Sequence, residues 1–209
     1  MFKLAPEGYP FIIFFAVITI AAFTAGGAFT AFLPFVLTLF MLYFFRDPER
    51  TTPEGDSIFV SPADGKVILI QNVDEGKYIK SSTLQVSIFM SPLNVHVNRS
   101  PCDGAVESVV HTPGKFLSAF KHEASLQNEN IAMLLDTKYG KVLVRQVAGS
   151  VARRAVCRVK PGDTLKKGQR YGIIKFSSRL DVFLPKDVNI KVKVGDKVKA
   201  GETVIGEIA

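Results

Sequence analysis

Two adjacent serines, Ser177 and Ser178, interrupt the β-rich run Gly172-Ile-Ile-Lys-Phe-Ser-Ser-Arg-Leu-Asp-Val-Phe-Leu-Pro185. A serine hydroxyl is a nucleophile once its proton has somewhere to go, although serine pairs are also ordinary turn residues. His96 lies in Met90-Ser-Pro-Leu-Asn-Val-His-Val-Asn-Arg-Ser-Pro101 and carries the side chain best suited to exchange protons near neutral pH. Asp64 offers a carboxylate in Ser61-Pro-Ala-Asp-Gly-Lys66, where Asp-Gly is a favoured turn pair. His111 and His122 have more ordinary surroundings. No histidine has the i,i+4 partner or the cysteine neighbours of a zinc site, so no metal is expected. Gly-x-Ser-x-Gly elbow, P-loop and dinucleotide fingerprint are all absent.

The elements that must position these residues are short. From Ser57 onward, runs rich in Val and Ile alternate with Gly, Pro, Asp and Asn: 58–61, 66–71, 84–90, 104–112, 131–137, 141–147 and 155–159. One short helix is expected over Phe116–Ser125. Val159-Lys-Pro-Gly-Asp-Thr-Leu-Lys-Lys-Gly-Gln is echoed by Val192-Lys-Val-Gly-Asp-Lys-Val-Lys-Ala-Gly-Glu. Paired units of this kind are familiar from barrel-sandwich folds of the lipoyl and biotinyl type. The fold class expected is therefore mainly β, a β-rich domain with barrel-sandwich-like repeats. Fold alone says nothing about chemistry.

Ahead of that domain, Pro10–Phe45 contains no charged residue. The block exceeds the roughly 20 residues of one spanning helix. Ala25-Gly26-Gly27-Ala28 divides it into Phe11–Thr24 and Phe29–Phe45, which predicts a hydrophobic α-helical hairpin or a pair of tilted helices. A cleaved signal peptide fits poorly, because Lys3 and Glu7 share the leading segment and no small-x-small site ends a short apolar run. The expected organisation is a membrane-anchoring segment, residues 1–46, and a β-rich domain, residues 47–209, joined through a polar, proline-punctuated stretch. The net charge of +7, with Lys3, Arg46 and Arg50 flanking the apolar block, favours a cell-membrane location with the domain facing the cytoplasm. Nucleic acid is not an expected partner, since no stacking motif, zinc-finger spacing or recognition helix accompanies the charge. Cys102 and Cys157 make no disulfide framework, which agrees with a reducing compartment.

Five pieces stand in a telling order: Phe44-Phe-Arg-Asp-Pro-Glu-Arg50, Ser61-Pro-Ala-Asp-Gly65, Met90-Ser-Pro-Leu-Asn-Val-His-Val-Asn-Arg99, Asn128-Glu129 and Phe176-Ser-Ser-Arg-Leu-Asp-Val182. Together with the apolar N-terminus they resemble, over essentially the whole chain, the short form of the phosphatidylserine decarboxylase family. In that family a small residue followed by serine, then Arg-hydrophobic-Asp-Val, is cut to leave a pyruvoyl group on the new N-terminus. The resemblance makes Ser177-Ser178 the cleavage site and Ser178 the precursor of the pyruvoyl cofactor. Gly149-Ser150 is a rival Gly-Ser pair, but it lacks the downstream context and reads as a turn. Two departures stand out. Ser177 replaces the usual glycine, adding a Cβ where the backbone must bend. Arg99 stands where longer members carry a second histidine.

The resemblance implies that the Ser178 hydroxyl attacks the Ser177 carbonyl, converting amide to ester. Elimination and hydrolysis would then give the pyruvoyl group, a β chain of residues 1–177 and an interlocked α chain of residues 178–209. Asp64 is the candidate for assisting those proton transfers. In turnover the amine of phosphatidylserine would form a Schiff base with the pyruvoyl ketone, which serves as an electron sink for loss of CO2. His96 is the candidate acid that protonates the carbanion, giving phosphatidylethanolamine. The expected partners are a phospholipid substrate, the membrane and the two chains of one precursor; a homo-oligomer is compatible with the sequence but not specified by it. Two alternatives explain fewer residues: a membrane-tethered barrel-sandwich adaptor without catalysis, which lacks the Met-Lys-Met of a carrier, and a homologue that Ser177 has cost its processing.

Overall fold

The computed structural model describes residues 3–115, 127–149, 154–176 and 178–208. The helix expected over Phe116–Ser125, with His122, lies outside the described residues, as do Ser150 and Ser177. The chain divides into two compact units, Met1–Glu49 and Arg50–Ala209.

In the first unit a 3-10 turn, Pro6–Gly8, leads into the helical segment α1 (Tyr9–Phe44), which kinks at Gly27. A straight helix of this length would hold its ends roughly 50 Å apart at 1.5 Å per residue. Instead the rings of Phe11 and Phe45 stack 5.5 Å apart, and the Ala5 amide donates to the Phe45 carbonyl at 2.8 Å. The hydroxyls of Thr19 and Thr38 meet at 3.2 Å. α1 is therefore a hairpin of two antiparallel arms, turning inside the expected Ala25–Ala28 break. Gly27 makes the turn with φ 74°, a region open to glycine and strained for other residues. Thr30 closes it, its hydroxyl bonding the carbonyls of Ala22 and Gly27 at 2.7 and 3.0 Å. Each arm is about 26 Å long by the same rise, close to the roughly 30 Å of a bilayer's hydrocarbon. Ile20, Phe29, Phe32 and Leu33 are exposed, Phe29 to 93%. An uncharged surface so rich in large apolar side chains is compatible with membrane association.

The second unit is built from strands: β1 (Ile58–Val60), β2 (Gly65–Glu75), β3 (Ser81–Met90), β4 (Val97–Arg99), β5 (Gly104–Thr112), β6 (Asn130–Thr137), β7 (Gly140–Ala148), β8 (Arg154–Cys157), β9 (Thr164–Leu165), β10 (Arg170–Lys175), β11 (Ser178–Pro185), β12 (Asn189–Ile190), β13 (Lys197–Val198) and β14 (Val204–Glu207). The main sheet runs β13-β2-β3-β11-β7-β6-β5-β9, and two small sheets run β1-β14-β12 and β4-β10-β8. The expected mainly β architecture is present. One face of the main sheet holds the core, with Val67, Val86, Ile88, Met133, Val144, Leu180 and Val182 buried together.

The repeat is larger than the two C-terminal segments that announce it. Ser61-Pro-Ala-Asp-Gly-Lys-Val67 is matched by Ser100-Pro-Cys-Asp-Gly-Ala-Val106. Val67 donates its N–H to Asp196 and accepts from Gly195, as Val106 does with Asp163 and Gly162. Gly201 donates to the Ser61 carbonyl at 2.8 Å, and Gly168 to that of Ser100 at 2.9 Å. The strand order of the main sheet is correspondingly palindromic: β13, β2, β3 and β11 map onto β9, β5, β6 and β7. One copy therefore comprises β1–β3 with β11–β14, and the other comprises β4–β10. The second copy is inserted into the first between β3 and β11. In the inserted copy the equivalent connection is a tight turn at Lys138-Tyr139, with Thr137 paired to Gly140. Its counterpart in the interrupted copy is Met90 paired to Ser178.

Candidate active site

Ser178 opens β11, the strand next to the pseudo-twofold axis, and is paired with Met90 on β3 and Ala148 on β7. Strand alternation turns Ser178, Leu180, Val182 and Leu184 to the core and Arg179, Asp181 and Phe183 to the other face. The Ser178 hydroxyl is buried and donates to the Met90 sulfur at 3.4 Å. Two residues earlier, Phe176 has φ 56°. An aromatic residue in that region is strained, by about 1–3 kcal/mol. Strain thus sits immediately before the serine pair.

His96 is fully buried, in the segment that joins β3 to β4. Its carbonyl accepts from the Ile174 N–H at 3.3 Å, which fixes it beside β10, the strand leading to the serine pair. Its Nδ1 lies 3.0 Å from the Asn94 carbonyl. A carbonyl only accepts, so Nδ1 carries the hydrogen and Nε2 is the nitrogen that gains or loses a proton. Asn128, in the Asn-Glu piece, donates to the Ala148 carbonyl at 2.7 Å, on the far side of Ser178's strand partner. Asp64, Met90, Ala148 and Ser178 lie at one end of the main sheet, at the termini of β2, β3, β7 and β11.

Asp64 is held differently from a free base. Arg50 grips both its oxygens at 2.8 and 3.1 Å, and the Ala200 N–H donates to Oδ1 at 2.8 Å. The second copy repeats part of this: Lys167 N–H donates to Asp103 Oδ1 at 2.7 Å. The backbone contact is therefore a feature of the fold, and the Arg50 grip is what distinguishes Asp64. Asp103 is more exposed; burial alone would raise its carboxyl, but the Lys167 amide and the Lys166 ammonium outweigh it and hold the value below the ordinary one. Sequence reading put Arg50 in a polar linker beside the apolar block; the structure buries it as the partner of Asp64. Arg99, at the position of the second histidine, is buried and donates to the Gly168 carbonyl at 2.9 Å. A guanidinium does not release its proton here, so Arg99 is a brace between turns.

The Arg179 and Asp181 of the serine motif bind each other. Arg179 Nε donates to Asp181 Oδ1 at 2.6 Å and its Nη2 to the Ser87 hydroxyl at 2.8 Å, all buried. Removing one partner strands the other charge, at a cost of about 3–5 kcal/mol. Asp181→Ala in an uncleavable Ser178→Ala background is therefore expected to lower the thermal midpoint by well over 5 °C; an unchanged melt would show that the pair contributes nothing.

Two other buried groups are unsuited to chemistry. Burial and the neighbouring Asp103 push the Cys102 thiol up to about 12, so it is not a nucleophile near neutral pH. Burial, then Cys157, holds the Tyr171 hydroxyl well above its usual value, and no described residue hydrogen-bonds it.

Comparison with known proteins gives a consistent result. A family model described as phosphatidylserine decarboxylase matches residues 37–206. A protein of Desulfotalea psychrophila named phosphatidylserine decarboxylase proenzyme is 47% identical over 206 residues, 98% of this chain and 96% of that one. A protein of the same name from Syntrophus aciditrophicus is 49% identical over 205 residues, covering 97% and 96% of the two chains. Another, from Chlorobaculum tepidum, is 48% identical over 182 residues, 87% of this chain and 84% of its own.

Proposed function

The chain belongs to the phosphatidylserine decarboxylase family, and from that premise we propose that it is a proenzyme that cuts itself between Ser177 and Ser178 and decarboxylates phosphatidylserine to phosphatidylethanolamine. The observation that carries the reading is the burial of the Ser178 hydroxyl at the head of β11, with strained backbone at Phe176 just before it. Attack of Ser178 Oγ on the Ser177 carbonyl breaks the C–N bond, frees the amine and forms an ester. In the elimination a base, for which Asp64 is the candidate, takes the Cα proton of residue 178. That electron pair forms the Cα–Cβ double bond as the Cβ–O bond breaks and its own pair leaves on the Ser177 carboxylate. One water then replaces nitrogen, which leaves as ammonia.

The pyruvoyl group so formed would supply a ketone that takes the substrate amine and accepts the electrons released with CO2. The position fits it: residue 178 heads a buried strand, its hydroxyl on the Met90 sulfur, which the Asn98 amide also reaches at 3.8 Å. His96 delivers the proton that replaces CO2, with Nδ1 tied to Asn94 and Nε2 as the exchanging atom. Asp64, fixed by Arg50 and the Ala200 amide, assists the proton transfers of self-cleavage. The hairpin holds residues 1–46 at the bilayer, from which an acyl chain leaves only at about 0.8 kcal/mol per CH₂. We place the catalytic unit, residues 47–209, on the cytoplasmic side, in keeping with its free thiols, Cys102 and Cys157.

Intact mass under denaturing conditions tests the whole reading. Two chains are expected, residues 1–177 and 178–209, the smaller lighter than a serine-terminated peptide by one ammonia. A single uncut chain of 22.9 kDa would overturn it.

A further inference from the structure

The two copies differ where it matters for residue 178. Asn98 pairs with Gly172 in β10, as Phe59 pairs with Gly206 in β14. Gln146 pairs with Ile131, as Leu184 pairs with Leu84. Where one copy buries Phe59 and Leu184, the other buries two amides, Asn98 at 0% and Gln146 at 1% exposure. Such groups are costly in a core unless satisfied, and the Gln146 Oε1 has no hydrogen-bond partner among the described residues.

Their orientation follows from their neighbours. Gln146 Nε2 lies 3.4 Å from the Val156 carbonyl and 2.8 Å from Asn98 Oδ1. A carbonyl can only accept, so the nitrogen of Gln146 faces both, and Asn98 must turn its oxygen toward Gln146. The nitrogen of Asn98 is thereby aimed the other way, at the Met90 sulfur, 3.8 Å distant. The Ser178 hydroxyl reaches the same sulfur atom. A thioether is a weak acceptor, so the Asn98 N–H shares that acceptor with the Ser178 hydroxyl and has no strong bond of its own.

We infer that Asn98, aimed by Gln146, is a hydrogen-bond donor to the Ser178 oxygen when that oxygen leaves during self-cleavage. The inference rests on the self-cleavage reading and adds a group to it. In the ester, Oγ carries the Ser177 acyl group. As a base takes the Cα proton and the Cα–Cβ double bond forms, the Cβ–O bond breaks and its electron pair goes to that oxygen, which becomes part of a carboxylate. The Asn98 N–H meets the charge as it develops. Donors aimed at developing charge are worth about 10²–10³ in rate. Asn98 would touch the reacting atoms, and Gln146 is a positioning residue acting through it.

The test uses the full-length chain with Asn98→Leu and Gln146→Leu, substitutions that put hydrocarbon where the other copy has it. Conversion of precursor to two chains is followed by pulse-chase, and uncut chain is treated with neutral hydroxylamine, which splits esters and spares amides. Asn98→Leu is expected to mature about 100-fold more slowly. Its uncut chain is expected to split with hydroxylamine, releasing an α chain that still begins with serine. Gln146→Leu should show a smaller delay of the same kind. In a Ser178→Ala background both should melt within a few degrees of the parent, which a purely structural role for the amides would not allow. Normal maturation, a delay with hydroxylamine-resistant uncut chain, or a delay matched by collapse of the melt each overturns the inference. An uncut wild-type chain would overturn self-cleavage itself, so the two failures are distinguishable.

Discussion

Ser178→Ala is expected to purify as one chain of 22.9 kDa and to release no CO2 from phosphatidylserine. Alanine keeps the backbone of β11 and every ladder bond to β3 and β7, and deletes one oxygen. That oxygen's observed contact is a weak one to the Met90 sulfur, so the fold has little to lose. The chemistry loses everything: no nucleophile to form the ester, no leaving oxygen, and no carbonyl at residue 178. Mass spectrometry reads the first consequence and CO2 release the second. A cut Ser178→Ala chain, or one that still turns over, would remove Ser178 from both roles.

His96→Ala separates maturation from turnover. The variant should be cut in full, yet its kcat should fall by about 10²–10⁴, the range expected for loss of a positioned acid. The sign follows from the bond to Asn94: with Nδ1 occupied, only Nε2 can carry the transferable proton, and alanine offers none. Chain masses and CO2 release measured on one preparation decide the matter. Full processing with normal turnover would rule out His96 as the acid, and blocked processing would move its role to self-cleavage.

The strands were legible where local chemistry writes them. β5 is read residue for residue from a Val-rich run bounded by Gly104 and Thr112, and the hairpin break from two glycines in an uncharged block. β4 was harder: three residues of Val-Asn-Arg become a strand only because β10 lies alongside. The duplication was half visible. Four of five residues agree between Ser61–Gly65 and Ser100–Gly104, but the short segment is diluted by dissimilar strands on either side. Arg50 was the real blind spot. A charged residue among prolines and acids looks solvated, and only tertiary folding brings Asp64 to it. Asn98 and Gln146 are similar cases, since amides in a strand pattern read as the wet face until their counterparts, Phe59 and Leu184, are identified.

The placement of β11 has a consequence for the life of the mature molecule. In the precursor the strand finds its slot between β3 and β7 as part of one polymer, and its ends are never far from their neighbours. On the proposed cut between Ser177 and Ser178, residues 178–209 would be a separate peptide that contributes a central strand. Folding was a first-order event; recovering from denaturation becomes a second-order encounter, slower as the solution is diluted. The lone β chain would meanwhile present two unpaired strand edges to anything nearby. The proposed cut would thus make the fold an inheritance from the precursor, readily kept and hard to regain.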